Sequence, residues 1–295
     1  MANYIIATCS TADISVEQMT EYNAEYIQFS YFVNEKEYKD DLGVSVTHKQ
    51  FYDMMRQGYD TKTTQPNMES YKEFLSQFLK DGYDVIFLNL SSGLSGAQAS
   101  AKMAEAELRL EYPERKIYVV DSLGASSGMG LLLDKMVELK NKGMSIDDLY
   151  MWTENNKLKV HHWFFSTDLT FFVKGGRVSR VAGWFGTILK ICPLLNVDKN
   201  GKLVPREKIR GKKAVMAQIV KKMVENVQDG ENYSGKCFIS HSDCYEDAQT
   251  VATMIKEKFP RLDGEVVINY IGTTIGSHTG PGTVAVFFFG KERDC

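Results

Sequence analysis

Asp84-Val85-Ile86-Phe87-Leu88-Asn89-Leu90 is an almost unbroken apolar run. Such a run, lacking polar alternation, is a strand covered on both faces. It runs into Ser91-Ser92-Gly93-Leu94-Ser95-Gly96, and Ala97 to Leu110 is then rich in alanine, glutamate and leucine, a strongly helical composition. The same order occurs twice more. Ile5-Ile6-Ala7 leads into the polar turn Thr8 to Asp13, and Ser15, with Gln18 three residues on, caps a helix. Lys116 to Val120 ends in Asp121-Ser122, and a helix is predicted from Leu123 to Lys140. Strand, polar turn and helix in repetition predict a parallel sheet covered by helices, with ligands at the carboxyl ends of its strands. The serine-glycine turn is placed there.

Between these units, Tyr26 to Val33 reads as one strand and Asp40 to Val46 as loop or short strand. Thr47 caps a helix through Arg56. Pro66 fits the first turn of a helix running to about Lys80. After Asn156 the texture changes. Strands are predicted over Val160–Ser166, Ile188–Val197, Leu203–Ile209, Lys236–Ser240, Glu265–Ile271 and Thr283–Phe289, with helices over Lys212–Asn226 and Tyr245–Lys258. That suits helices on one face of a mixed sheet. The expected fold class is α/β in two domains. Residues 1–158 form an α/β domain with a parallel sheet, and residues 159–295 form an α+β domain with a mixed sheet. The length of 295 residues supports two domains.

Composition narrows the partners. Lysine and arginine total 35 against 38 acidic residues, so the net charge of -3 gives no drive toward nucleic acid or anionic membrane. No apolar run approaches the roughly 20 residues of a membrane helix. Met1-Ala2-Asn3-Tyr4 lacks the charged start of a signal peptide. Five cysteines without a C-x-x-C pair indicate neither a disulfide framework nor a zinc knuckle, and the expected location is the cytoplasm.

Four turns gather the chemistry: Thr63-Thr64-Gln65-Pro66, Ser91 to Gly96, Lys174-Gly175-Gly176-Arg177 and His278-Thr279-Gly280-Pro281-Gly282. Glycine and proline allow tight bends, and hydroxyls and backbone N–H groups donate hydrogen bonds without charge. Together they suit a small anion. Ser92, Ser95 and Gly96 stand before a helix whose N-terminal amides and dipole favour one. Lys174 and Arg177 flank a glycine turn that is either a solvated loop or an anion and docking site.

Other chemistries fit less well. The nucleophile elbow needs glycine two residues either side of its serine, whereas Ser95 has Gly93 before it and Ala97 after it. A triad of Ser95, His278 and Asp121 remains conceivable, because triads are set by geometry. Neither Lys174 to Arg177 nor Gly211-Lys212-Lys213 matches a Walker phosphate loop. His161 and His162 face opposite ways on a strand, and no metal site emerges. Phe164-Phe165, Phe171-Phe172 and Phe287-Phe288-Phe289 read as core or interdomain packing; a cavity they lined would be apolar and long.

T-[ST]-Q-P, S-S-G-L-S-G, D-S-x-x-A-S-x-G-x-G from Asp121 to Gly130, G-G-R-[IV]-S, and H-T-G-P-G occur here in the order of the DegV family, bacterial fatty-acid-binding proteins. The resemblance spans Ile5 to Phe289. It implies an α/β domain, a smaller α+β domain and one long-chain fatty acid, such as palmitate, stearate or oleate, bound between them without a cofactor. The fold it implies is similar to the substrate-binding part of dihydroxyacetone kinases. It implies that Thr63 and Ser95 bind the carboxylate with His278 close by, and that the acid is presented to a kinase for acyl-phosphate formation and phospholipid synthesis. Two positions depart from the family pattern: Cys9 replaces an acidic residue, and Asn67 stands where serine is common.

The expectation is therefore a carrier without catalysis of its own. The rivals are an acyl hydrolase using Ser95 and a lipid-sensing interaction protein.

Overall fold

The computed structural model describes residues 4–178 and 191–293. Ser179 of the glycine-arginine turn and the predicted strand residues 188–190 lie outside them.

The first sheet contains β1 (Tyr4–Cys9), β2 (Glu25–Ile27), β6 (Asp84–Asn89) and β7 (Ile117–Asp121), parallel in the order β2-β1-β6-β7. β6 is central, and its residues Val85 to Asn89 are all buried, as its apolar run requires. A small antiparallel sheet not foreseen from the sequence holds β3 (Ser30–Val33), β4 (Lys36–Lys39) and β5 (Thr61–Thr64), in the order β4-β3-β5. The run Tyr26 to Val33 is thus two strands in two sheets. The third sheet is mixed: β8 (Val160–Ser166), β9 (Ile191–Val197), β10 (Leu203–Arg210), β11 (Cys237–His241), β12 (Val267–Tyr270) and β13 (Thr283–Phe289), in the order β10-β9-β8-β13-β11-β12.

Ten α-helices join these strands among the described residues: α1 (Val16–Glu21), α2 (His48–Arg56), α3 (Met68–Lys80), α4 (Ala97–Glu111), α5 (Ser126–Asn141), α6 (Ile146–Asn156), α7 (Thr170–Lys174), α8 (Lys212–Asn226), α9 (Tyr245–Lys258) and α10 (Thr273–Thr279). Local chemistry sets their starts. Ser15 with Gln18 and Thr47 with Gln50 form capping boxes at α1 and α2. Asn67 caps α3 by accepting from the Ser70 N–H, so Pro66 lies outside the helix rather than in its first turn. None of these helices is long and apolar enough to cross a membrane.

α5 links the two large sheets. It packs on β1 and also against β8, β11 and β13, and its residues from Ser126 to Asp134 are all buried. Strand periodicity then divides the mixed sheet. Phe164, Leu195, Ala285 and Phe287 join the core shared with the parallel sheet, whereas Phe165, Leu194, Val286 and Phe288 join a second core under α8 and α9. Tyr31, Phe51 and Tyr52 anchor a third cluster between the small sheet and α2.

Candidate functional site

A cavity of about 320 Å³ lies against the inner face of the mixed sheet. That volume is in the range of small-molecule sites. On β13, the alternating residues Thr283, Ala285 and Phe287 line it, and Phe164 and His162 face it from the paired strand β8. Thr283 to Phe287 spans about 13 Å at the usual strand rise. Leu90, Phe172 and Ile275 add further apolar wall. The paired phenylalanines therefore split their duties by parity: Phe164, Phe172 and Phe287 line the cavity, while Phe165 and Phe288 face the second core.

One end is polar. Thr63 on β5 and His278 on α10 share a hydrogen bond of 2.8 Å between Oγ1 and Nε2. Thr63 thus sits on a strand and His278 on a short helix, where the sequence had suggested turns. Burial, and then the positive charge of Arg177, push His278 down to a pKa of about 4, so its ring is neutral at pH 7. Its Nδ1 is buried without a partner. An orphaned N–H costs more than an orphaned lone pair, which favours the proton on Nε2. Nε2–H then donates to Thr63 Oγ1 and leaves the Thr63 hydroxyl proton free for a ligand.

Ser95 Oγ donates to Gln65 Oε1 at 2.7 Å and accepts from the Ala97 N–H at 3.2 Å, capping the first turn of α4. Arg177 is exposed at the same cavity, and its Nε donates to the Leu94 carbonyl at 3.3 Å. Cavity lining therefore includes Thr63, Ser95, His278 and Arg177, together with Thr64 and Gln65. Ser92 and Gly96 are exposed and lie outside that lining; the Ser92 N–H donates to Asp121 Oδ1 at 3.1 Å. Lys174 also lies outside it and pairs with Asp60.

The imagined triad does not assemble as a hydrogen-bonded chain. His278 Nε2 is engaged by Thr63, Ser95 by Gln65, and Asp121 Oδ1 by the amides of Ser92 and Leu123. Among the described residues no three histidine, cysteine or carboxylate side chains could jointly hold a metal ion.

At the other end stands His162, whose Nδ1–H donates to the Val160 carbonyl at 3.1 Å and whose Nε2 accepts from the Ala125 N–H at 3.4 Å. Burial holds it well below the usual histidine range. A Cβ at Gly128 would overlap both this ring and Phe287, which explains a glycine within the Asp121 to Gly130 motif. Sequence reasoning did not assign His162 to the site. The signal was its parity with Phe164 on one strand. Gln65 and Ser126, also lining residues, stood inside quoted motifs without a role.

Cys9, the departure from the acidic residue, is fully buried with its thiol pushed up to about 11 by that burial. Its Sγ lies 3.0 Å from Thr11 Oγ1, away from the cavity lining.

Residues 4–291 match the family described as "Uncharacterised protein, DegV family". The chain belongs to the DegV family. A DegV domain-containing protein of Clostridium perfringens is 36% identical, with 100% of each chain covered. Among solved structures, a DegV lipid-binding protein of Thermotoga maritima is 27% identical with a TM-score of 0.86, over 100% of both chains. DegV of Bacillus subtilis, described as a fatty acid binding protein, is 27% identical with a TM-score of 0.82, covering 99% of this chain and 100% of its own.

Proposed function

We propose that this DegV-family chain binds one long-chain fatty acid, such as palmitate, stearate or oleate, and carries it without catalysis of its own. The observation that carries the reading is an apolar cavity with Thr63, Ser95, the neutral His278 and Arg177 at one end. The binding activities named for the Thermotoga maritima and Bacillus subtilis relatives support it. Burying a sixteen-carbon chain gains on the order of 10 kcal/mol, from which several kcal/mol of association cost are subtracted. The carboxylate needs donors to remain ionised in such a place. Thr63 and Ser95 supply hydroxyls, and His278 orients Thr63. In this reading residues 1–158 bring the hydroxyl-bearing segments, and residues 159–295 close the acyl pocket.

Arg177 and the nearby Lys174 are exposed beside the polar end of the cavity, which leaves the head group open to an acting enzyme. We assign that enzyme to the fatty acid kinases related to dihydroxyacetone kinase, with acyl-phosphate as the product. Titration of delipidated protein with oleate and palmitate, followed by thermal shift, tests the reading. Saturable stabilisation is expected, and no shift with either acid would contradict it.

A further inference from the structure

Ser95, Gln65 and Ser100 form one hydrogen-bonded line at the polar end of the acyl cavity. The Ser95 hydroxyl donates to Gln65 Oε1 at 2.7 Å, and Gln65 Nε2–H donates to Ser100 Oγ at 3.3 Å. Gln65 directly follows β5, and Ser100 lies near the start of α4. The Ala97 N–H adds a donor to Ser95 Oγ at 3.2 Å. A serine hydroxyl has one proton and two lone pairs. Here the proton is engaged by Gln65 and one lone pair by Ala97, so what remains free on Ser95 is a lone pair. A carboxylate, which only accepts, gains nothing from it.

Reversing the amide reverses the line. A half-turn of the terminal torsion of Gln65 exchanges Oε1 and Nε2 and leaves the rest of the side chain in place. Nε2–H then donates to Ser95 Oγ, and the Ser100 hydroxyl donates to Oε1. Ser95 now accepts from Ala97 and from Gln65, and its proton is released. Gly96 leaves the amide uncrowded. A Cβ there would lie 3.3 Å from both Nε2 and Oε1, tighter than an ordinary contact, whereas its φ of -72 is open to any residue. Gln65 also lines both the acyl cavity and a surface groove, so its amide is not packed solid.

We infer that Gln65 is a positioning residue whose amide turns when a carboxylate arrives and so points the Ser95 proton at the ligand. The inference rests on the fatty-acid reading given above. Without a ligand, the reversed amide leaves the Ser95 proton facing a mostly apolar cavity, so the observed direction is favoured. A carboxylate beside Ser95 inverts that preference, because only the reversed line offers it a donor. Thr63 has the same logic already in place: Nε2–H of His278 donates to Thr63 Oγ1 and leaves the threonine proton free. Each hydroxyl is then backed by a donor and presents its own proton to the head group.

Nuclear magnetic resonance of the delipidated full chain, titrated with oleate, tests this without any variant. The Nε2 protons of Gln65 are expected to show their stronger Overhauser contact to the Ser100 β-protons before oleate and to the Ser95 β-protons after it. Gln65→Glu adds a second readout. An ionised glutamate only accepts, so it keeps the Ser95 proton, and oleate affinity should fall about tenfold or more at pH 8. Relative to wild type at the same pH, affinity should recover toward about pH 5.5, where a protonated carboxyl again offers one donor and one acceptor. Charge repulsion alone also weakens binding, but it persists in a Ser95→Ala background. The same substitution should therefore cost at least about threefold less in that background. Wild type that binds oleate with its Gln65 contacts unchanged overturns the inference, as does an equal cost of Gln65→Glu in both backgrounds. Wild type that takes up no oleate overturns the fatty-acid reading itself, and this inference with it.

Discussion

Thr63 Oγ1 and His278 Nε2 lie 2.8 Å apart although 215 positions separate them in the chain. The bond joins the small sheet to the short helix α10 at the polar end of the cavity. A neutral imidazole donating to a threonine hydroxyl turns that hydroxyl toward a ligand anion. Thr63→Ala is therefore expected to weaken fatty-acid binding about 10- to 100-fold, the worth of one charge-assisted hydrogen bond at roughly 1.5–3 kcal/mol. Isothermal titration with oleate measures it, and wild-type affinity would remove Thr63 from the site.

Ser95→Ala should weaken binding to a similar degree, because its hydroxyl can exchange the Gln65 acceptor for a carboxylate. Assay of short-chain ester hydrolysis accompanies the binding measurement. Turnover by the wild type that disappears in Ser95→Ala would establish the hydrolase instead.

How far the sequence foretold this arrangement depended on whether contacts are local. The parallel sheet was legible because β6 is apolar along its length and its turn opens a strong helix. The small sheet was not. Lys36-Glu37-Tyr38-Lys39 is mostly charged and shows no apolar face, and it pairs only because β3 lies beside it. α10 was missed because Thr-Thr-Ile-Gly-Ser-His-Thr contains poor helix formers. Tertiary packing against α2, α7 and β5 overrides that propensity. Ser95 and Thr63 were visible as hydroxyls in marked turns. Gln65 takes its place through packing between distant segments, which no local pattern encodes, whereas His162 was marked only by its parity with Phe164 on β8.

Acid should destabilise the protein through its histidines. Burial lowers His278 and His241 to about 4 and His162 and His48 in the same direction. Below pH 6.5 the unfolded chain takes up protons that the folded chain refuses, so stability falls as pH drops from about 6.5 toward 4. His278 and His241 each account for up to about 3 kcal/mol of that loss. Urea unfolding at pH 7.0, 5.5 and 4.5 checks the sign; equal stability across the range would show that these rings are not held neutral.

Gly128→Ala forces a methyl group into the His162 ring and Phe287. A loss of about 1–3 kcal/mol is expected from overpacking. Chemical denaturation measures the loss, and an unchanged midpoint would show that the far end of the cavity yields freely.

Arg177→Ala is expected to bind oleate within about threefold of wild type, since an exposed charge contributes modestly, but to slow acyl-phosphate formation by a cognate fatty acid kinase about tenfold or more. Affinity and kinase turnover are measured on the same preparation. Lost binding or a lowered Tm, with turnover falling only in proportion, would assign Arg177 to holding its own loop.

Mass spectrometry of lipid released by denaturing the purified protein tests the central claim most directly. The account predicts close to one equivalent of free long-chain fatty acid per chain. An extract empty of fatty acid, from protein that also fails to take up added oleate or palmitate, would contradict it.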